Sequence, residues 1–460
     1  MTLLVVDVAQ IIPNTGSDSV PNPASLLAIP LTFFDLPFLW RHPFKQVFFY
    51  RLTESTREHF HSFILPKLKL SLSLVLRSYL PLSGCITWNS DELKPRIVVS
   101  QNDAVSVTIA ETDANFSNLS SYGQRPVSEL HTLIPELPCS DDLASAFSLQ
   151  ITLFPNQGFS IGFAAHHAVL DGNTSSMFIK AWAHLCKQHI ENRVISLPES
   201  LTPSLDRSLL KDVTRRLDEQ MIEMVRSLRD EKTNFRSLSR SLSREIGDDD
   251  VQATLVLSRD DIERLRERCM SRDDQSHLHL STFVIAYAYV WTCFVKARGG
   301  DGERAVSFFF GGDFRRRLDP PLPATYFGNC IFKVGYHKRK AAEFAGEKGF
   351  LMAVEMISDL VKSLSSPGII ETIAQRFRIG FDSIGESSQI GRIAMSNKFG
   401  VYNSDFGWGR PVKVDYVSTS GEGIALAERR DESGGIEMGI CMKKTEMDMV
   451  FSCFKNSLQN

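Results

Sequence analysis

The chain reads as short apolar runs separated by polar and glycine-rich breaks. Met1 to Ile12 is apolar and reads as a strand, followed by a Pro/Asn/Ser-rich loop to about Asn22. Glu54 to Ile64 reads as a helix. Leu68, Leu70, Leu72, Leu74 and Leu76 fall on every second position. That is a strand period, but Lys and Leu favour helix and the run has no aromatic or turn residues, so both readings stay open. Ser148 to Phe154 and Phe159 to Ala165 are apolar runs joined by Pro155-Asn156-Gln157-Gly158, a hairpin pattern. Thr174 to His189 predicts a helix with Met177, Phe178, Ala181, Trp182 and Leu185 on one face.

Leu197 to Asp250 breaks the rhythm. It is charged, poor in aromatics, and carries an arginine-serine run from Arg236 to Arg244. It reads as a crossover linker with some helix near Asp212 to Leu228. Beyond it, Gln252 to Leu257 predicts a strand, and Ser258 caps a helix with Asp260 and Asp261 in its first turn. Ser281 to Lys296 predicts an apolar helix stopped by Gly299-Gly300, and Val306 to Gly311 a buried strand. Ala341 to Leu364 and Glu446 to Leu458 predict helices, with several short strands between Ile393 and Met442. Helices and strands mixed in both halves point to an α/β protein of two layered domains. The expected division is 1–196, a linker 197–250, and 251–460.

Composition narrows the function. With 460 residues, a single core is too small a plan for the chain. Net charge is −3, without the basic surface that an obligate nucleic-acid binder needs. The 8 cysteines are scattered without a CxxC pair, which reads as reduced thiols in the cytosol and offers no zinc framework. The most apolar internal run, Phe283 to Val295, is too short to span a membrane.

Five motifs are candidates for chemistry. Gly158-Phe159-Ser160-Ile161-Gly162 matches a nucleophile elbow, but a turn precedes the serine and a strand follows, the reverse of what an elbow needs. Asp405-Phe406-Gly407 lacks the other parts of a kinase. His166-His167-Ala168-Val169-Leu170-Asp171-Gly172 lies between a strand and a helix, where a histidine can act as a base near neutral pH. Alone, His-x-x-x-Asp is a weak signal. Asp405 to Pro411 marks a tight turn with Trp408 between two glycines. Arg315, Arg316 and Arg317 follow a buried strand and suit a carboxylate or phosphate, or else form a surface turn.

Taken together these motifs resemble the plant BAHD acyl-CoA-dependent acyltransferases. His167-Ala-Val-Leu-Asp171-Gly172 matches HxxxDG, and Asp405-Phe-Gly407-Trp408-Gly409 matches DFGWG. Tyr326-Phe-Gly-Asn-Cys330 matches the YFGNC pattern of the anthocyanin and phenolic-glucoside acyltransferase clade. Leu31 to Asp35, Leu80 to Gly84 and Ser281 to Phe283 add support. The resemblance implies two chloramphenicol-acetyltransferase-like domains of mixed sheets and helices, with a channel between them. It implies a ternary complex in which His167 takes a proton from the acceptor, with no acyl-enzyme, no metal and no bound cofactor. Acyl-CoA is then a co-substrate that passes Ser281 and Thr282. Asp171 would pair with an arginine, Arg315 or Arg317. Asp405 is counted in such enzymes both as part of the glycine turn and as catalytic. The resemblance leads us to expect malonyl transfer to the sugar hydroxyl of a phenolic or flavonoid glucoside by a cytosolic monomer. The alternative is hydroxycinnamoyl transfer to an anthocyanin glucoside or to an amine such as agmatine. Two positions depart from relatives, Asn173 where lysine is common and Cys85 where a basic residue is common.

Overall fold

The computed structural model describes the chain except residues 15–26, 192, 194–195, 228–233, 240–245, 271–276, 385–386, 418–422, 432–433 and 460. Much of the expected loop before Asn22 and of the Arg236 to Arg244 run therefore lies outside the described residues. Three sheets form. The first has six strands in the order Leu3–Ile11, Val105–Thr112, Phe147–Phe154, Gly158–Ala165, Phe44–Arg51, Lys413–Tyr416. The second has seven: Ile331–Lys340, Ala305–Asp313, Gln389–Met395, Gly423–Glu428, Ile436–Lys443, Asp250–Leu257, Arg125–Pro126. A small four-stranded sheet adds Leu27–Pro30, Arg96–Val99, Cys85–Thr87 and Leu143–Ser145. Parallel and antiparallel pairs mix in both large sheets.

The large sheets exchange edges. Lys413–Tyr416 comes late in the chain yet pairs with Phe44–Arg51, and Arg125–Pro126 comes early yet pairs with Asp250–Leu257. Buried charges fasten the exchange. Arg125 Nη2 donates to Asp415 Oδ1 at 3.1 Å, and Lys413 donates to Glu437 at 3.1 Å. The hydroxyls of Tyr122 and Tyr402 also donate to Glu437, each at 2.7 Å. A buried charge needs such partners, since an unmatched one is costly.

The hairpin forms as expected, Phe147–Phe154 with Gly158–Ala165, and all eight residues of each strand are buried. Ser160 stands in the middle of its strand, paired across to Thr152 and Phe49, so it is no nucleophile elbow. Gly162 answers a packing need instead. A Cβ there would lie 1.9 Å from the Leu133 carbonyl oxygen.

The leucine run is a helix, Leu65–Leu76. Leu68, Leu72, Val75 and Leu76 are buried at helical spacing while Leu70 is exposed. Its tertiary partner is the helix Gly172–Ile190, whose Trp182 donates to the Leu68 carbonyl at 3.2 Å and to Ser71 Oγ at 3.1 Å. The helix expected from Glu54 starts at Arg57, because Thr56 caps it. The single helix expected over Ala341 to Leu364 is two, Ala342–Ala345 and Gly349–Ser363, broken at Gly346. The linker holds the helix Lys211–Ser227.

Candidate active site

The buried strand Gly158–Ala165 ends at His166, whose backbone N–H bonds the Ala146 carbonyl at 2.9 Å. A tight turn follows, with the Val169 N–H on the His166 carbonyl. Asp171 then caps the helix Gly172–Ile190, accepting from the Thr174 N–H at 3.0 Å. Aspartate suits this place because it satisfies a free amide at the positive end of the helix. His166 turns inward and is fully buried, with Nδ1 accepting from the Ala168 N–H. His167 keeps an accessible edge.

Asp171 is not aimed at His167. Its other oxygen pairs with Arg315 at 2.8 Å and accepts from the Cys330 N–H at 3.3 Å. Both side chains are almost wholly buried, at 1% and 3% exposure. Burial alone would depress the Arg315 guanidinium, but Asp171 and Asp313 outweigh it and hold the charge in place. Of the two expected arginines only Arg315 does this. Arg317 is exposed and bonds the Asp313 carbonyl, because the turn after Asp313 buries Phe314 and Arg315 and turns Arg316 and Arg317 outward.

The Tyr326-to-Cys330 segment knits the site. Asn329 Nδ2 donates to the His167 carbonyl at 2.8 Å and to Asp35 Oδ1 at 3.0 Å. Asp35 also accepts from the Thr32 N–H and hydroxyl, each at 2.9 Å. The Gly328 carbonyl accepts from Arg315 at 3.0 Å and Thr174 at 3.2 Å. Arg207, from the linker, stacks on Tyr326, bonds its hydroxyl and reaches Asp35 at 3.4 Å. The backbone carrying His167 is thus held from three distant segments. Arg207 and Asn329 were not expected at the site. An isolated arginine in a charged linker gives no local signal, and Asn329 reads only as part of a motif.

The His167 ring stacks on Phe38 at 4.0 Å between centroids, and Phe44 meets it edge-on at 6.0 Å. Its Nδ1 is buried and has no hydrogen-bond partner among the described residues. Burial pushes the imidazole down to about 4, helped by Arg41 and Lys333, while its own carbonyl and Asp171 pull the other way. At neutral pH it is the free base, the form that accepts a proton.

Asp405, the other residue expected at the chemistry, makes its contacts elsewhere. Its Oδ1 accepts from the N–H groups of Gly407 at 2.8 Å and Gly409 at 2.9 Å, and its Oδ2 pairs with Lys187 at 2.6 Å. Gly407 and Gly409 hold φ of +105° and +100°, which glycine alone adopts readily. Trp408 packs edge-on against Phe159. Asp405 therefore organises a turn, its contacts being with Gly407, Gly409 and Lys187. Ser281 caps the helix Thr282–Arg298, accepting from the Val284 N–H, and both Ser281 and Thr282 are partly exposed. Gly172 opens its helix beneath Phe399, whose ring a Cβ would strike at 2.5 Å. Asn173 Nδ2 reaches the Ala324 carbonyl at 3.3 Å. Among the described residues, no group of three His, Cys, Asp or Glu side chains could hold a metal ion.

A family model described as the Transferase family matches residues 19–456. The chain belongs to this family, the BAHD acyltransferases. It is 65% identical over 461 residues to phenolic glucoside malonyltransferase 2 of Arabidopsis thaliana, covering 100% of each chain. It is 44% identical to agmatine coumaroyltransferase of the same plant, covering 100% of each. Vinorine synthase has a similar fold at 20% identity and a TM-score of 0.68, over 97% of this chain and 96% of that one. TRI101 of F. graminearum, complexed with coenzyme A and T-2 mycotoxin, has a TM-score of 0.63 at 14% identity, over 93% and 97%. The chain is thus an acyltransferase of the expected mixed α/β fold.

Two measurements test the geometry of this BAHD enzyme. Because burial lowers His167 from 6.5 to about 4, kcat/KM is expected to stay level from neutral pH down to about pH 5, then fall. A bend near the ordinary histidine value in the pH–rate profile contradicts the assignment. The unfolded histidine binds its proton more readily, so this group's share of stability fades as pH drops from 6.5 toward about 4. For Asp405→Asn, the loss expected in a thermal melt is about 1 kcal/mol. Its kcat/KM should stay within about tenfold of wild type, since the Lys187 pair is partly exposed. A dead variant with an unchanged melting temperature would return Asp405 to the chemistry.

Proposed function

We propose that the protein transfers malonyl from malonyl-CoA to a sugar hydroxyl of phenolic or flavonoid glucosides. The observation that carries this is 65% identity, over the whole of both chains, with a relative named phenolic glucoside malonyltransferase 2. A relative named for malonylation of an anthocyanidin 5-O-glucoside agrees, at 44% identity over 95% of this chain. His167 is the general base. It takes the proton of the acceptor O–H as that oxygen attacks the thioester carbonyl, and the new C–O bond replaces the C–S bond. The protonated imidazole then gives its proton to the departing CoA thiolate. Donor and acceptor meet in one ternary complex, with Ser281 and Thr282 beside the CoA. The enzyme works as a monomer in the cytosol, with residues 1–196 and 251–460 as its two domains. No helix among the described residues is long and apolar enough to cross a membrane.

The test offers malonyl-CoA and p-coumaroyl-CoA separately, each with phenolic glucosides, flavonoid glucosides and agmatine, and reads products by mass spectrometry. A malonyl adduct on a glucoside is expected. A coumaroyl adduct on agmatine would instead move the protein to the reading favoured by its 44% identity with agmatine coumaroyltransferase.

A further inference from the structure

Three basic side chains, Arg41, Lys333 and Arg392, stand in the region of His167. Arg392 lies opposite Phe309 in the parallel pairing, and Lys333 opposite Gly311 in the antiparallel one. Side chains two apart on a strand share a face, so Lys333, Phe309 and Arg392 project from the same side of the seven-stranded sheet. Phe308 and Phe310 take the other side, against Tyr287, Trp291 and Phe283 of the helix Thr282–Arg298. The Lys333 ammonium sits 4.7 Å from the Phe309 ring centroid. Arg41 comes from another segment, three residues after the Phe38 whose ring stacks on His167. Tyr416, whose ring is 5.2 Å from Phe44, feels both Arg41 and Arg392, and His167 feels both Arg41 and Lys333. These interactions set the three basic side chains around the region of His167, Phe44 and Tyr416.

Neither Arg41 nor Lys333 has a carboxylate partner among the described residues. Burial, with mutual repulsion added, pushes Lys333 well below the ordinary lysine value and Arg41 down to about 10. Like charges crowded together and only partly exposed are relieved when an anion joins them. In a malonyl thioester the free carboxylate is one methylene away from the reacting carbonyl. A seat for it must therefore adjoin the base, and this cluster does. Arginine and lysine both suit a carboxylate through charge-assisted hydrogen bonds.

We propose that Arg41, Lys333 and Arg392 form the seat for the free carboxylate of the acyl donor and select carboxyl-bearing thioesters over uncharged ones. The proposal rests on the malonyltransferase reading and names the residues behind it. Arg315 and Arg317 are not available for this part, being committed to Asp171 and to the Asp313 carbonyl.

The test compares wild type with Lys333→Met, Arg41→Met and Lys333→Arg, using malonyl-CoA, acetyl-CoA and p-coumaroyl-CoA with one phenolic glucoside, and reads CoA release. Lys333→Met and Arg41→Met should each lower kcat/KM for malonyl-CoA roughly 10- to 100-fold, and for acetyl-CoA less than about threefold. Lys333→Arg should keep most of the malonyl preference. Equal losses with malonyl and acetyl donors overturn the proposal, since the cations then serve the CoA phosphates or the fold. A wild type that prefers malonyl, with variants that keep that preference, overturns it while leaving malonyl transfer standing. A wild type that uses only p-coumaroyl-CoA overturns the malonyl reading and this seat with it.

Discussion

His167→Ala is expected to cut CoA release by about 10²- to 10⁴-fold, the usual worth of a positioned general base. The fold should survive. The imidazole makes ring contacts with Phe38 and Phe44, but the hydrogen bond that holds this segment runs to the His167 backbone carbonyl, from Asn329. Alanine keeps that carbonyl. A thermal melt and a circular dichroism spectrum close to wild type, beside a collapsed rate, would separate lost chemistry from lost structure. A variant that keeps full activity would remove the base from His167, and with it the mechanism proposed above.

Asp171→Ala should fail for a different reason. It removes the partner of a buried Arg315, the cap on the Thr174 N–H and the acceptor for the Cys330 N–H at once. Breaking one side of a buried pair costs about 3–5 kcal/mol because the other charge is left uncompensated. The expected result is a protein that melts far earlier and loses activity in proportion to its unfolded fraction. Pairing the change with Arg315→Met should return part of the lost stability, since the stranded charge goes too. An Asp171→Ala protein that melts with wild type and is still inactive would give Asp171 a direct part in the reaction.

Much of this arrangement is legible along the chain. The strand, turn and capped helix around His167 and Asp171 are written in contiguous residues, and the motif holds them in register. The choice between Arg315 and Arg317 is not, since it depends on how the turn after Asp313 points two arginines a pair of residues apart. The leucine run misleads by its period. Its burial at Leu68, Leu72, Val75 and Leu76 is decided by the helix bearing Trp182, more than 100 residues away. Arg41, Arg207 and Lys333 come from three distant segments, and only folding brings each near the His167 loop. A charge scattered in this way leaves no spacing to read.

The exchanged edge strands bear on how the chain folds as it is made. The first sheet is nearly complete once Gly158–Ala165 has emerged, but its edge at Phe44–Arg51 gains its neighbour only when Lys413–Tyr416 arrives. Until then an apolar strand with unpaired N–H and C=O groups stays open, the kind of edge that recruits other chains. Synthesis at about 5–20 residues per second leaves it open for the time taken to make roughly 250 more residues. Chaperone supply during translation, more than the stability of the finished enzyme, should therefore govern how much soluble protein a host yields.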